Sequence, residues 1–474
     1  KSASSAKSAV YYKELDMQDI YDWIDAHRDE LVAELQTLLR QPSISAQKIG
    51  LDECAALLRS QWVADGLPNT RILPVPDAPS IVYATEPATT PGARTLLCYS
   101  HYDVQPPEPL ELWVDPPFSA AIRDGVIYAR GATDNKSGAL AFARAAQAFR
   151  EVRGGPPVNL VHFCEGEEEV GSPHLAAWAA DNAALLQCDA SIGLDGGVHR
   201  TSFKPEIHLG IKAILAVELR VKSHGIDFWS GRAQLLQARA AAWRLVHCLG
   251  TIFSPAGRIL IDGWYDDLLP PDADDLYWLR NELTHFDRKE LARQLGVTGD
   301  FPYDDDIELL KAIHYGASCN IAGLAAGYGG EGMKTIVPSE AVAKLDFRCP
   351  PNLEPAVQIE KLRAHLHQHG YDDVEIMTHT VRGNPYKTPV AEAISQAVIA
   401  AADTIWGAPP LVMGVSTQGT IMTAVPHPAV LSGFGAPENN LHAPNENMPI
   451  DRYIQGIKFA ATIFTEFAAR TAVE

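Results

Sequence analysis

Apolar side chains at Ile20, Trp23, Ile24, Leu31, Leu35, Leu38 and Leu39 recur every three or four residues, which predicts a helix from about Asp16 to Arg40. Gln41-Pro42-Ser43 ends it, and a second helix is predicted near Asp52 to Asp65. Apolar runs then predict strands at Thr70–Leu73 and Ser80–Ala84, and a buried strand at Arg94–Tyr99. Gly125–Arg130 reads as a strand entering a glycine-rich turn, followed by an alanine-rich helix over Ala139–Phe149. Val158–Cys164 and Ala190–Leu194 read as further buried strands. Strands alternate with helices throughout this half, which predicts an α/β layered fold with its chemistry at the strand ends.

From Glu206 the pattern changes. Period-two alternation appears in the second half of His208–Val221, and a long helix is predicted over Leu235–Leu249. A polar, acidic, proline-containing segment runs from Pro270 to Asp306. Strands are predicted at Lys334–Pro338, Ala341–Arg348 and Val374–Met377, with a helix at Leu353–Gly370. The order β-α-β-β-α-β is that of a ferredoxin-like unit. It is placed at about 208–385, inserted between 1–207 and 386–474, which are read as one further domain. The returning chain is predicted to form helices at Pro389–Trp406 and about Ile450–Ala469, with an apolar strand at Ala429–Gly433 between them.

At 474 residues the chain is long for one core, and about two to three domains are expected. Its 39 basic and 59 acidic residues leave a net charge of −20, which disfavours nucleic acid and anionic membranes as partners. The seven cysteines are scattered without a C-x-x-C pair and read as buried, reduced thiols, which favours a cytoplasmic location. The start, Lys1 to Ala9, is low in complexity and lacks Met, so a removed N-terminal signal stays open.

Candidate chemistry gathers at the predicted strand ends. Glu165-Gly166-Glu167-Glu168-Glu169 follows a buried strand, and carboxylates this close repel unless a cation sits among them. A solvated acidic loop is the plainer explanation, but the chain turns at once into apolar Leu175-Ala176-Ala177-Trp178. His101 and Asp103 end another strand and point to one side of it, although a lone H-x-D also fits a surface turn. Asp134 and Asn135 could merely cap a helix, and a glycine-rich turn with Asp before Lys also suggests phosphate binding, although it is not G-x-x-x-x-G-K-[ST]; Asp195 ends a further strand. Acidic groups repeated at successive strand ends are more specific than any one of them.

Together, H-x-D-V-Q-P at 101–106, G-A-T-D-N-K at 131–136, E-G-E-E-E-V-G-S at 165–172, Asp195, V-P-S-E-A-x-A-K-x-D-F-R at 337–348 and N-x-H-A-P-N-E at 440–446 resemble the dizinc peptidase family of carnosine dipeptidases, aminoacylases and glutamate carboxypeptidases. The dipeptidase branch is the nearest, and the resemblance covers nearly the whole chain. It implies a mixed-sheet α/β/α catalytic domain with an inserted ferredoxin-like α+β lid, through which two copies form a homodimer. It implies two Zn2+ ions per chain, with Mn2+ or Co2+ suited to the same ligands. Asp134 would bridge the ions, His101 and Asp195 would complete one site, and Glu169 and His442 the other. Asn135 would follow a cis peptide. Asp103 would orient His101, and Glu168 would be the general base. Arg348 would grip the carboxylate of a small amide substrate, with Asn320 and Thr420 as further substrate contacts.

Two departures from the family pattern fall on substrate recognition. The usual lid motif D-[LF]-H-S-G reads Asp227-Phe228-Trp229-Ser230-Gly231, so Trp229 replaces a histidine that supports the oxyanion of a neighbouring subunit. An indole has one N–H donor and takes no positive charge. His224, five residues earlier, could substitute for it, but a plain loop histidine is the better reading. The dipeptidase G-G-S-I-P-like loop reads Ser416-Thr417-Gln418-Gly419-Thr420-Ile421-Met422. The expected activity is hydrolysis of a dipeptide or an N-acyl amino acid. The competing readings are acyl transfer or amide formation on the same metals, and a non-catalytic binding protein. Retention of Glu168 argues against the last.

Overall fold

The computed structural model of the chain describes residues 16–199, 204–382, 384–416 and 428–470. Among them the largest sheet has eight strands. Across the sheet they run Arg71–Val75, Ala78–Glu86, Asn159–Glu165, Thr95–His101, Ala190–Leu194, Ala429–Ser432, Glu206–His208 and Leu411–Met413. The central strands Asn159–Glu165, Thr95–His101, Ala190–Leu194 and Ala429–Ser432 are parallel neighbours, while the Arg71 and Ala78 strands join antiparallel at one edge. Three parallel strands therefore deliver their C-terminal ends, His101, Glu165 and Leu194, along one rim of the sheet.

Period two decides which side chain faces which layer. Leu96 and Cys98 face a core shared with the helices Gln18–Ala26, Arg28–Leu39, Leu51–Ala64, Lys136–Arg153, Ala393–Trp406 and Ile450–Ala469. Leu97 and Tyr99 face the opposite side, against Phe163 and the helix Leu175–Asp181 with its Trp178. Helices thus cover both faces, and the parallel strands are mainly apolar because both sides are buried. Each fully buried large apolar side chain contributes about 1.5–3 kcal/mol.

A second core lies under the four-stranded antiparallel sheet Ser318–Ala326, Glu340–Cys349, Ala213–Lys222 and Val374–Arg382, in that spatial order. Helices Ala241–Ile252 and Pro355–Gln368 supply it with Leu245, Cys248, Leu362 and Leu366. Strand order and connectivity are those of a ferredoxin-like unit, and the overall class is mixed-sheet α/β with this α+β unit inserted.

Several elements differ from the sequence pattern. The first predicted helix is two, parted at His27, whose Nδ1–H donates to the Trp23 carbonyl at 2.8 Å and whose ring stacks on that indole. The helix predicted from Leu235 begins at Ala241, because Gln237 has φ +50° and Ala240 is extended. The second strand of the ferredoxin-like unit is Ser318–Ala326, whereas Ile336–Val337 pairs with Phe228–Trp229 in a separate two-stranded ladder. The strand before Asp134, Val126–Tyr128, belongs to a three-stranded sheet with Ala121–Arg123 and Asn447–Pro449. Asp134 therefore comes from the turn before helix Lys136–Arg153 and not from an end of the main sheet.

Between the Ala241–Ile252 helix and the Ser318–Ala326 strand, helices Ala273–Leu283 and Asp306–Tyr315 return to the main sheet, where Leu279, Leu310 and Tyr315 pack on Val415. His208 is buried beside this dock, and burial together with the neighbouring His314 pushes its imidazole down from 6.5 to about 4. Between those values the unfolded chain holds the extra proton, so stability is full above pH 6.5 and falls as pH drops toward 4. His208 alone is expected to remove up to about 3 kcal/mol across that window. Denaturant titrations from pH 7 to 4 check this: His208→Leu should flatten the loss by that amount, and an unchanged slope would contradict it.

Candidate metal centre

The rim of the main sheet and two loops meet in one acidic pocket. His101 ends its strand fully buried, and its Nε2 lies 3.0 Å from Asp134 Oδ1 and 3.6 Å from Asp195 Oδ2. His442, half-exposed on the loop before the last helix, places Nε2 2.9 Å from Asp134 Oδ2 and 3.3 Å from Glu169 Oε2. Two donor groups result, His101-Asp134-Asp195 and Asp134-Glu169-His442, and they share Asp134. Its two oxygens face different histidines.

Local structure fixes these groups from behind. Asp195 follows the strand Ala190–Leu194, and its N–H donates to the Ser432 carbonyl at 2.8 Å. The peptide between Asp134 and Asn135 is cis. Asn135 Nδ2 donates to the Leu194 carbonyl at 2.6 Å and to Asp195 Oδ1 at 3.0 Å. Lys136, fully buried, donates from Nζ to the Leu38 and Gln41 carbonyls at 3.2 and 2.5 Å, which ties the turn to the N-terminal helices. Gly138 permits the close passage of the Ala190–Leu194 strand, since a Cβ there would lie 2.5 Å from the Leu194 oxygen.

Asp103 braces more than one neighbour. Its main-chain carbonyl accepts from His101 Nδ1 at 3.1 Å, and its Oδ1 lies 3.4 Å from the same nitrogen. Its two carboxylate oxygens also accept from the N–H groups of Glu168 and Glu169, each at 3.1 Å. The carboxylate thus holds the backbone of the glutamate turn as well as facing the imidazole.

With Nδ1–H donating to a carbonyl, His101 turns the Nε2 lone pair toward carboxylate oxygens, and this nitrogen makes no well-formed hydrogen bond. A lone pair aimed at anions is unfavourable unless a cation stands between them. Imidazole nitrogens and carboxylate oxygens are suitable donors for a divalent transition metal, so the residues fit such an ion. The electrostatics agree. Burial opposes charge on His101, yet Asp195, Asp103 and Asp134 hold its imidazole well above the ordinary range. Hydrogen bonds to Asp134 and Glu169 push His442 up to about 10. Burial raises Glu168 well above the usual carboxylate range; His101 opposes that, and Asp195 and Asp134 add to it. Burial and the Asp134 charge raise Glu169 as well. The pocket holds positive charge tightly, whether as protons or as metal.

The remaining predicted residues lie elsewhere. Arg348 is on the strand Glu340–Cys349, with Nε 3.2 Å from Asp346 Oδ1, and Asn320 sits opposite Asp346 on the adjacent strand. Trp229 is 64% exposed, and its ring folds back over Gly231. His224 bonds Ser223 Oγ through Nδ1 at 2.8 Å and packs on Phe228. Thr420 lies outside the described residues. Gln105 carries no role in the sequence reading, but its Nε2 donates to Glu169 Oε2 at 2.8 Å. Alternation along 101, 103 and 105 was the available signal. Glu446 was passed over too, although it lies in the quoted 440–446 motif.

The model of peptidase family M20/M25/M40 matches residues 97–466. The chain belongs to that family. It is 26% identical to the human Beta-Ala-His dipeptidase over 95% of this chain and 93% of that protein. It is 24% identical to the Cys-Gly metallodipeptidase DUG1 of Candida albicans, over 95% and 97% of the two chains. Among solved structures it superposes on the M20 family metallo-carboxypeptidase Sso-CP2 of Sulfolobus solfataricus with a TM-score of 0.82 and 33% identity, covering 93% of this chain and 100% of that one. Human carnosine dipeptidase 1 gives 0.70 and 25%, covering 96% and 99%. This M20 chain is a metal-dependent peptidase or amidohydrolase of the dipeptidase branch. Among the described residues, no helix is long and apolar enough to cross a membrane.

Divalent metal is accordingly expected to stabilise the fold by mass action. An ion at one hundred times its Kd adds about 2.7 kcal/mol. Melting curves of chelator-treated and zinc-supplemented protein check this; coincident curves would contradict it.

Proposed function

We propose that the chain hydrolyses the amide bond of a dipeptide or an N-acyl amino acid bearing a free carboxylate, with two divalent ions, zinc by preference, in the acidic pocket. The observation that carries the reading is Asp134, whose two oxygens face two separate donor groups. His101 and Asp195 would hold one ion and Glu169 and His442 the other, with Asp134 between them. The bound ions would supply Lewis acidity toward the scissile carbonyl and toward water.

Glu168 acts as general base. It takes a proton from the attacking water and delivers it to the leaving nitrogen. What supports this role is burial beside Asp134 and Asp195, which makes its carboxylate far more basic than an exposed one. Asp103 fixes the Glu168 and Glu169 amides and so sets where both side chains begin. Arg348 binds the substrate carboxylate, for which a guanidinium fork is suited. The inserted segment 208–385 serves as the lid that carries Arg348 and Asn320, with the catalytic domain formed by 1–207 and 386–474. Exposed Ile226, Trp229, Leu235, Trp243, Ile321 and Leu324 on that segment support a homodimer through it.

Dipeptides and N-acyl amino acids assayed with metal-saturated protein test the activity. Glu168→Gln should lower kcat by roughly 10²–10⁴-fold with metal content unchanged; a variant as active as wild type would remove Glu168 from the base role. Arg348→Ala should raise KM roughly 10–100-fold for substrates with a free carboxylate, the scale of one charged hydrogen bond. Equal KM values for acid and amide substrates in wild type would contradict that assignment.

A further inference from the structure

The carboxylate of Glu446 joins the two chain segments that bring Asp134 and His442 together. Glu446 is fully buried. Its Oε1 accepts from the N–H groups of Thr133 and Asp134 at 2.9 and 3.1 Å. Its Oε2 accepts from the Gly131 N–H at 3.0 Å and from Arg130 Nη1 at 2.8 Å. Three backbone amides of one turn thus converge on one side chain, the arrangement in which a chain cradles an anion. The contact continues along the backbone. The Glu446 carbonyl accepts from Ala129 N–H at 3.1 Å, and the Asn447 carbonyl accepts from Thr133 Oγ1 at 2.7 Å.

The loop on the other side needs such an anchor. Asn440, His442 and Asn445 have φ of +53°, +57° and +62°, within six residues of one another. Left-handed backbone at a non-glycine residue persists where surrounding contacts enforce it. Asn445 supplies one set, its Oδ1 accepting from Val114 N–H at 2.9 Å and its Nδ2 donating to the Leu112 carbonyl at 2.8 Å. Glu446 supplies the other, and it is the residue whose partners include Asp134 itself. His442 and Asp134 are 308 positions apart in sequence, and Nε2 meets Oδ2 at 2.9 Å.

We infer that Glu446 is a positioning residue for the metal pocket: its carboxylate sets the spacing between the Asp134 turn and the His442 loop. This rests on the proposed reading in which Asp134 and His442 hold ions. A glutamine in its place keeps the volume, but its NH2 would face amide or guanidinium donors and one acceptor would be lost. Residues that orient metal ligands typically cost 10–100-fold in metal affinity when changed.

The test is chelator-competition titration of zinc into wild type and Glu446→Gln, full-length, with the visible absorption of the cobalt(II)-substituted proteins and melting of the metal-free proteins alongside. The expected result is zinc binding about 10–100-fold weaker and an altered cobalt spectrum in the variant. With saturating metal, kcat is expected to fall and KM to stay within about two-fold, as for loss of an interaction that acts in the transition state. A variant that melts lower but binds zinc with wild-type affinity and gives the wild-type cobalt spectrum overturns the inference, because Glu446 would then serve folding alone. If Glu446→Gln does not fold, Glu446→Asp, which keeps the charge on a shorter stem, is read in the same way. Wild type that binds no zinc in the same titration sinks the metal reading, and the inference with it.

Discussion

Carboxylates buried within a few ångströms of one another repel, and the fold has to supply the charge that keeps them together. Asp134, Asp195, Glu168 and Glu169 share a pocket with His101 and His442, and burial raises three of these four acids. Asp134 is the exception, held low despite its burial because both histidines lie beside it, His101 Nε2 at 3.0 Å and His442 Nε2 at 2.9 Å. An acidic pocket of this kind is a strong cation site and a poor place for anything else. The rest of the architecture follows from having to bring these side chains to one point.

Parallel strands solve most of the problem. Thr95–His101, Asn159–Glu165 and Ala190–Leu194 are neighbours, and their register sets His101 opposite Glu165. One rim therefore receives His101 directly, and Glu168, Glu169 and Asp195 within a turn. Asp134 and His442 arrive differently, on loops bound to each other through the small sheet that pairs Asn447 with Tyr128. Asp134 and His442 thus sit on one hydrogen-bonded unit, and the strand ends form a second. The pocket lies where the two meet. The inserted unit has its own core, and its helices Ala273–Leu283 and Asp306–Tyr315 reach back to the main sheet through Val415.

Much of this was legible in sequence because strand ends are a local property. His101, Asp103 and Asp195 each close an apolar run, and the glutamate turn follows one, so their placement on a common rim could be read from pattern alone. The motifs then named a family, which the match over 97–466 bears out. What escaped is non-local or poorly patterned. Ser318–Ala326 carries small residues and is exposed along most of its length, so it shows little alternation, and Lys334–Pro338 took its place in the reading. Gln105 and Glu446 act through hydrogen bonds to residues 64 and more than 300 positions away, which no spacing rule reveals. The break at His27 depends on a ring stacking on Trp23, a feature outside helical periodicity.

The central claim is that one carboxylate serves two metal sites. Equilibrium dialysis followed by elemental analysis of wild type and Asp134→Ala tests it most directly. The account predicts two ions per wild-type chain and the loss of both in the variant, since each donor group includes Asp134. A variant that keeps one ion at wild-type affinity, or a wild type that never holds more than one, would contradict it.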